Sequence, residues 1–124
     1  MNSNRKKELQ EMYKHMKTDM GIVYFECIPN ENKYIGYLKD TDRGLNSLKA
    51  RLNANIFRGR RNLNLQNDWN KYGESNFIIK IIDKLDYDED SDKTDYTEEL
   101  KMLLEDSLKK YEGAEVIEWE YQEI

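Results

Sequence analysis

The chain has 124 residues, enough for one core-bearing domain and too few for two ordinary ones. Its residues are 38% hydrophobic and 36% charged with a single proline, a composition that supports a small core under a charged surface and argues against a wholly disordered chain. No apolar run approaches the roughly 18 residues of a membrane span, and MNSNRKKELQEMY has no signal-peptide core, so a cytoplasmic protein with no membrane partner is expected.

Leu9, Met12, Tyr13 and Met16 recur at helical spacing behind Ser3 and predict an amphipathic helix over 4–17, so that residues 1–20 form a leading helix packed on the domain. His15, the only histidine, falls on this helix as a surface residue. Gly21 to Ile28 and Tyr34 to Leu38 are rich in β-branched and aromatic residues, and the PNEN between them suits a turn with unusual backbone angles, so 21–38 reads as a β-hairpin. Cys27 has no cysteine partner and no histidine nearby, which makes it strand filler rather than half of a disulfide or zinc site.

Leu45, Leu48, Leu52 and Ile56 step by three and four and predict a helix over 43–57. Arg51 and Asn55 then stand at the edge of its apolar stripe, where a polar head reaches a cleft while the core holds the stem. The loop FRGRRN follows, and Arg58, Arg60 and Arg61 around Gly59 suit phosphate contacts, with an ordinary charged loop as the alternative. Asn62 or Asn64 can cap a short third helix that ends at Gly73 and contributes Trp69 and Tyr72 to the core. FIIKIID, 77–83, predicts a third strand, dense enough in apolar residues to be covered on both faces.

The acidic run DYDEDSDKTD, 86–95, starts like a calcium loop with Asp86, Asp88 and Asp90 at positions one, three and five. It then has Ser91 where glycine belongs and Thr97 where glutamate belongs, so it reads as a solvated linker. Leu100, Leu103, Leu104, Ser107, Leu108 and Tyr111 outline a last helix stopped near Gly113. VIEWEYQEI alternates Ile117, Trp119 and Tyr121 with polar residues, which suits an edge strand in a C-terminal extension, 113–124. The expected fold is an α+β layer with a small, mainly antiparallel sheet of three strands, or four if the extension joins it.

Charge is divided along the chain more sharply than the net −5 conveys. Residues 1–82 hold 15 Lys and Arg against 9 acids, while 83–124 hold 5 against 16. From Arg43 to Lys71 there are seven basic residues and one acid, Asp68, which makes this the segment suited to a polyanion. The acidic C-terminal third suits a protein partner instead.

GIV at 21–23, then ten residues, then YIG at 34–36, resembles the paired tripeptides of the GIY-YIG nuclease superfamily, which lie on adjacent strands of a central hairpin. LQNDWNKYGESNF, 65–77, is similar to the family's stretch between its arginine-bearing helix and its third strand. Arg51 falls on that intervening helix, and the resemblance spans about 21–112 as a single domain. RKKELQEMYK resembles the leading helix of a small bacterial subgroup.

The resemblance implies DNA cleavage with Mg²⁺ or Mn²⁺, in which site tyrosines help activate water, an arginine contacts the phosphate and a glutamate of the last helix holds the metal. Carried over by position, Tyr34, Gly36 and Arg51 match the pattern. Val23 stands where the other tyrosine is expected, and the adjacent Tyr24 points to the opposite face unless a bulge re-aims it. Asn55 replaces a histidine that many members carry and cannot titrate near neutral pH. Leu104 stands where the metal-binding glutamate is expected, and Glu105, about 100° further round the helix, is the remaining metal candidate. Two functions follow: a metal-dependent endonuclease using Tyr34, Tyr24 and Arg51, or a catalytically degenerate fold kept for binding DNA or a protein.

Overall fold

The computed structural model describes residues 18–57, 61–88 and 93–118. The expected leading helix over 4–17 with His15, the arginines Arg58 and Arg60, and Trp119 and Tyr121 lie outside the described residues.

Four strands form one sheet in the order β3, β1, β2, β4. The first strand, β1 (Met20–Cys27), pairs antiparallel with β2 (Asn32–Leu38) on one side and with β3 (Phe77–Leu85) on the other. A two-residue strand, β4 (Glu115–Val116), runs parallel to β2 along its outer edge. Because β1 is interior, successive side chains enter two different cores, which explains why MGIVYFEC is almost continuously apolar instead of alternating. Val23, Phe25 and Cys27 enter one core, while Met20, Ile22 and Tyr24 enter the other.

Two helices cover the first face. The helix α1 (Thr41–Asn53) is capped by Asp40, whose carboxylate accepts the Arg43 amide at 3.0 Å, and it buries Leu48 and Leu52. Its predicted span, 43–57, is too long at the C-terminal end: Asn55 turns left-handed at φ 57°, and Ile56 leaves the stripe for solvent at 43% exposure. The next helix, α2 (Leu63–Tyr72), buries Leu65 and Trp69 and stops at Gly73, whose φ of 79° ends it. Asn62 precedes it, but no cap bond forms, since its carboxamide holds the backbone of Glu118 instead.

A single helix, α3 (Thr97–Lys110), covers the second face with Leu100 and Leu104 against Ile22, Tyr24, Ile35 and Tyr37. Asp95 accepts both the amide and the hydroxyl of Thr97 at its start, and these bonds hold the Asp95 carboxyl below the usual carboxylate range. The strand β3 corrects the expectation of cover on both faces. It lies at the sheet edge, with Ile79 and Ile81 only partly buried and Ile78 41% exposed, because β1 rather than β3 takes the central place. At the other edge, the C-terminal segment contributes β4 and then Ile117, which is buried against the first core.

Two glycines set how closely the layers approach. A Cβ at Gly21 would stand 2.1 Å from the Asp83 carbonyl oxygen, a backbone atom fixed by the β1–β3 ladder. A Cβ at Gly36 would stand 2.9 Å from the Ile117 Cβ and 3.2 Å from its carbonyl oxygen, a milder approach to the segment beside the two-residue edge strand. We therefore expect Gly21→Ala to lower stability by about 1–3 kcal/mol through overpacking and Gly36→Ala to cost less. Urea unfolding of both variants checks this, and equal midpoints for Gly21→Ala and the parent chain would refute it.

Candidate functional site

The buried hydroxyl of Tyr34 is the centre of a polar cluster on the first face of the sheet that reaches out to the hairpin turn. It donates to Asp68 Oδ2 at 2.6 Å. The same carboxylate accepts the side-chain amide of Asn32 at 3.0 Å, and its second oxygen accepts that of Asn30 at 2.9 Å. Asn30 also accepts the Asn32 backbone amide at 3.0 Å, so the carboxylate of α2 fixes both the turn and the start of β2. A buried carboxylate needs such donors, and three of them offset the loss of water.

Asp68 was the residue that sequence reasoning left unused. Its position carried a signal: it follows Leu65 by three and precedes Trp69, which places it on the inward stripe of a helix whose exposed positions need no acid. Burial is the main cause that pushes the Tyr34 phenol up, and the bond to Asp68 adds to it. Tyr34 is therefore a neutral donor at neutral pH, with its proton directed at a carboxylate.

The register of β1 decides the fate of the two residues offered for the second tyrosine. Val23 pairs with Gly36, and Phe25 pairs with Tyr34, so Val23 lies on the Tyr34 face and is fully buried there. Tyr24 pairs with Ile35 and enters the other core, beside Tyr111 at 4.9 Å between ring centres. A bulge does occur at this point, but the extra residue, Ile82, is in β3. The alternation of β1 is intact, so Tyr24 is not re-aimed; its hydroxyl donates to Glu26, and burial raises its pKa.

Arg51 is half-buried on α1, between Leu48 and Leu52, which pack in the same core as Tyr34. The helix of Arg51 and the phenol of Tyr34 thus share one face of the sheet. The Arg51 Nε–H is directed to Ser47 Oγ at 3.4 Å, while the Tyr34 hydroxyl is directed to Asp68. Asn55 lies past the helix end, where its Oδ1 accepts the Asn70 amide at 3.0 Å and ties α1 to α2. Gln66 strengthens the same seam by donating to the Leu52 carbonyl at 2.9 Å and accepting the Phe57 amide at 3.3 Å. Arg61, the described member of the arginine loop, lies 3.8 Å from Glu118.

The metal expected from the resemblance does not fit the residues present. Leu104, at the position of the expected glutamate, is 7% exposed and belongs to the second core. Glu105 is exposed on α3, which packs against the sheet face opposite Tyr34 and α1. Among the described residues, no three His, Cys, Asp or Glu side chains converge as metal ligands would.

No protein-family model matches the chain, and no curated protein matches it. Solved structures do. The catalytic domain of the homing endonuclease I-TevI shares the fold with a TM-score of 0.58 at 18% identity, over 81% of this chain and 99% of that one. A mutant form of the catalytic domain of intron endonuclease I-TevI matches with the same score and identity, over 75% of this chain and 84% of that one. At this identity the likeness establishes the fold, which is the GIY-YIG nuclease type that the paired tripeptides led us to expect.

The Tyr34–Asp68 contact can be weighed by deletion. Tyr34→Phe should cost about 1.5–3 kcal/mol, the range for a hydrogen bond to a charged group, and Asp68→Ala should cost more because it leaves the buried Tyr34 hydroxyl without its acceptor and also releases the two hairpin asparagines. The pH dependence has a definite sign. Below the ordinary phenol value of 10.0 both folded and unfolded chains keep the Tyr34 proton, so its contribution is fully present. Above it the unfolded chain loses the proton first, so stability declines as pH rises until the folded phenol itself ionises. The decline should be shallower in Tyr34→Phe, and identical slopes for the two chains in denaturant titrations above pH 10.0 would contradict the assignment.

Proposed function

We propose that this chain binds nucleic acid on a nuclease fold without cutting it. The observation that carries this reading is the burial of Val23 and Leu104, at 0% and 7% exposure, in two separate cores. These are the two positions where the family resemblance puts a reactive phenol and a metal-binding carboxylate. A buried aliphatic side chain supplies neither a proton acceptor nor an oxygen ligand, and Tyr34 itself is engaged by Asp68.

Binding is supported by the basic stretch from Arg43 to Lys71. Its one acid, Asp68, faces inward onto Tyr34, Asn30 and Asn32, so the segment adds no carboxylate to its own outer surface. Arg51 and Arg61 are described candidates for phosphate contact, and DNA is the partner this reading takes, in keeping with a fold shared with the catalytic domain of the homing endonuclease I-TevI.

The endonuclease reading draws on one specific feature. A phenol whose proton already points at a carboxylate 2.6 Å away can pass that proton to Asp68 while accepting one from an attacking water, so that hydroxide forms the new P–O bond as the bond to the leaving sugar oxygen breaks and that oxygen takes a proton from solvent. Arg51, on the same face, would then stabilise the charge that develops on the phosphoryl oxygens.

A supercoiled plasmid distinguishes the two. We expect retardation of the plasmid with no nicked circles in either Mg²⁺ or Mn²⁺, and an affinity for labelled duplex that falls steeply with salt, in proportion to the phosphates neutralised. Metal-dependent nicking that disappears in both Arg51→Ala and Asp68→Asn would establish the endonuclease reading in its place.

A further inference from the structure

The C-terminal extension brings acids to the basic face. Residues 113–124 hold four glutamates and no Lys or Arg, and two of them, Glu115 and Glu118, reach the approach to α2. The side-chain amide of Asn64 donates to Glu115 Oε1 at 2.8 Å. Arg61 Nε lies 3.8 Å from Glu118 Oε2, and Asn62 accepts the Glu118 amide at 2.8 Å while donating to its carbonyl.

Residues 115–117 are held by the sheet. Glu115 and Val116 pair in register with Tyr34 and Ile35 of the YIG strand, and the Ile117 amide donates to the Ile35 carbonyl at 2.8 Å. Ile117 is 2% exposed and anchors the segment over Gly36. The anchoring is apolar and through backbone, whereas both carboxylates sit on the outside: the Arg61 and Glu118 side chains are 44% and 54% exposed. A guanidinium and carboxamide N–H groups are also what proteins offer to backbone phosphates.

We infer that the acidic C-terminal strap is a built-in competitor for nucleic-acid phosphate, and that Arg61, Asn62 and Asn64 form the seat the two contend for. The inference rests on the nucleic-acid-binding reading above. Its strength is modest, since exposed ion pairs contribute little and are screened by salt, so phosphate from a polyanion displaces the carboxylates without unfolding the anchored strand.

The test is a charge-matched pair of variants measured by fluorescence anisotropy on a labelled DNA duplex. Glu115→Gln with Glu118→Gln removes the competing charge while Ile117 and the Asn62 clamp keep the strand in place. Glu98→Gln with Asp106→Asn removes the same net charge from exposed positions of α3 on the other face. We expect the strap variant to bind about three- to tenfold more tightly at low salt and with a steeper salt dependence, and the α3 variant to change by less than about twofold. Equal tightening in the two variants, or none in the strap variant while the parent chain binds, would overturn the inference and leave DNA binding standing. Absence of binding by the parent and the strap variant alike would instead remove the nucleic-acid-binding reading, and the competitor with it. Unfolding midpoints shared by all three chains establish that the strand remains docked.

Discussion

The period of two along an interior strand governs where this protein can place chemistry. Because β1 has a neighbour on each side and a helix layer on each face, each of its apolar side chains is committed to one of two cores, and moving a group by one residue moves it through the sheet. Val23 and Tyr24 illustrate the consequence. They are adjacent in sequence, yet only Val23 shares the face of Tyr34, and the bulge that might have exchanged them lies in the neighbouring strand. The aromatic residue is present but on the wrong side for the expected site.

A comparable commitment operates on the first face through Asp68. The carboxylate gathers the hydroxyl of Tyr34 and two asparagine amides from the hairpin, so a helix that follows α1 in sequence fixes the turn that precedes it. Together with the Gln66, Asn55 and Trp69 contacts between α1 and α2, this makes the first face a single polar-laced unit around an apolar core. Such networks specify one arrangement because their buried members, Tyr34, Gln66 and Asp68, would each be a polar group out of reach of water without its partner. It also gives Tyr34 a structural task, independent of whether it touches a phosphate.

The second face follows a different logic. The helix α3 buries Leu100, Leu104 and Ser107 against the sheet, and Glu98, Glu105 and Asp106 are exposed. The side that could have brought a carboxylate to a metal is thus used for packing, while Glu115 and Glu118 come round the other edge of the sheet to Asn64 and Arg61. The charge separation along the sequence becomes, in three dimensions, a contact between the two signs.

The sequence by itself determined the hairpin, the order of the elements, the α+β class and the resemblance to a nuclease fold, since these rest on local periodicity, on turn residues and on tripeptides at a set spacing. The family resemblance set Val23 and Leu104 where it implied a tyrosine and a glutamate, and the strict alternation of a strand argued against Tyr24. Only the tertiary structure decided that Asp68 meets Tyr34 across 34 positions of sequence, that Asn55 serves the α1–α2 seam, that β3 is an edge strand and that Glu118 lies against Arg61. Those are pairings between distant segments. Periodicity tells which side of its own element a residue occupies, but which other segment will be waiting there depends on how the layers stack, and no local pattern encodes that.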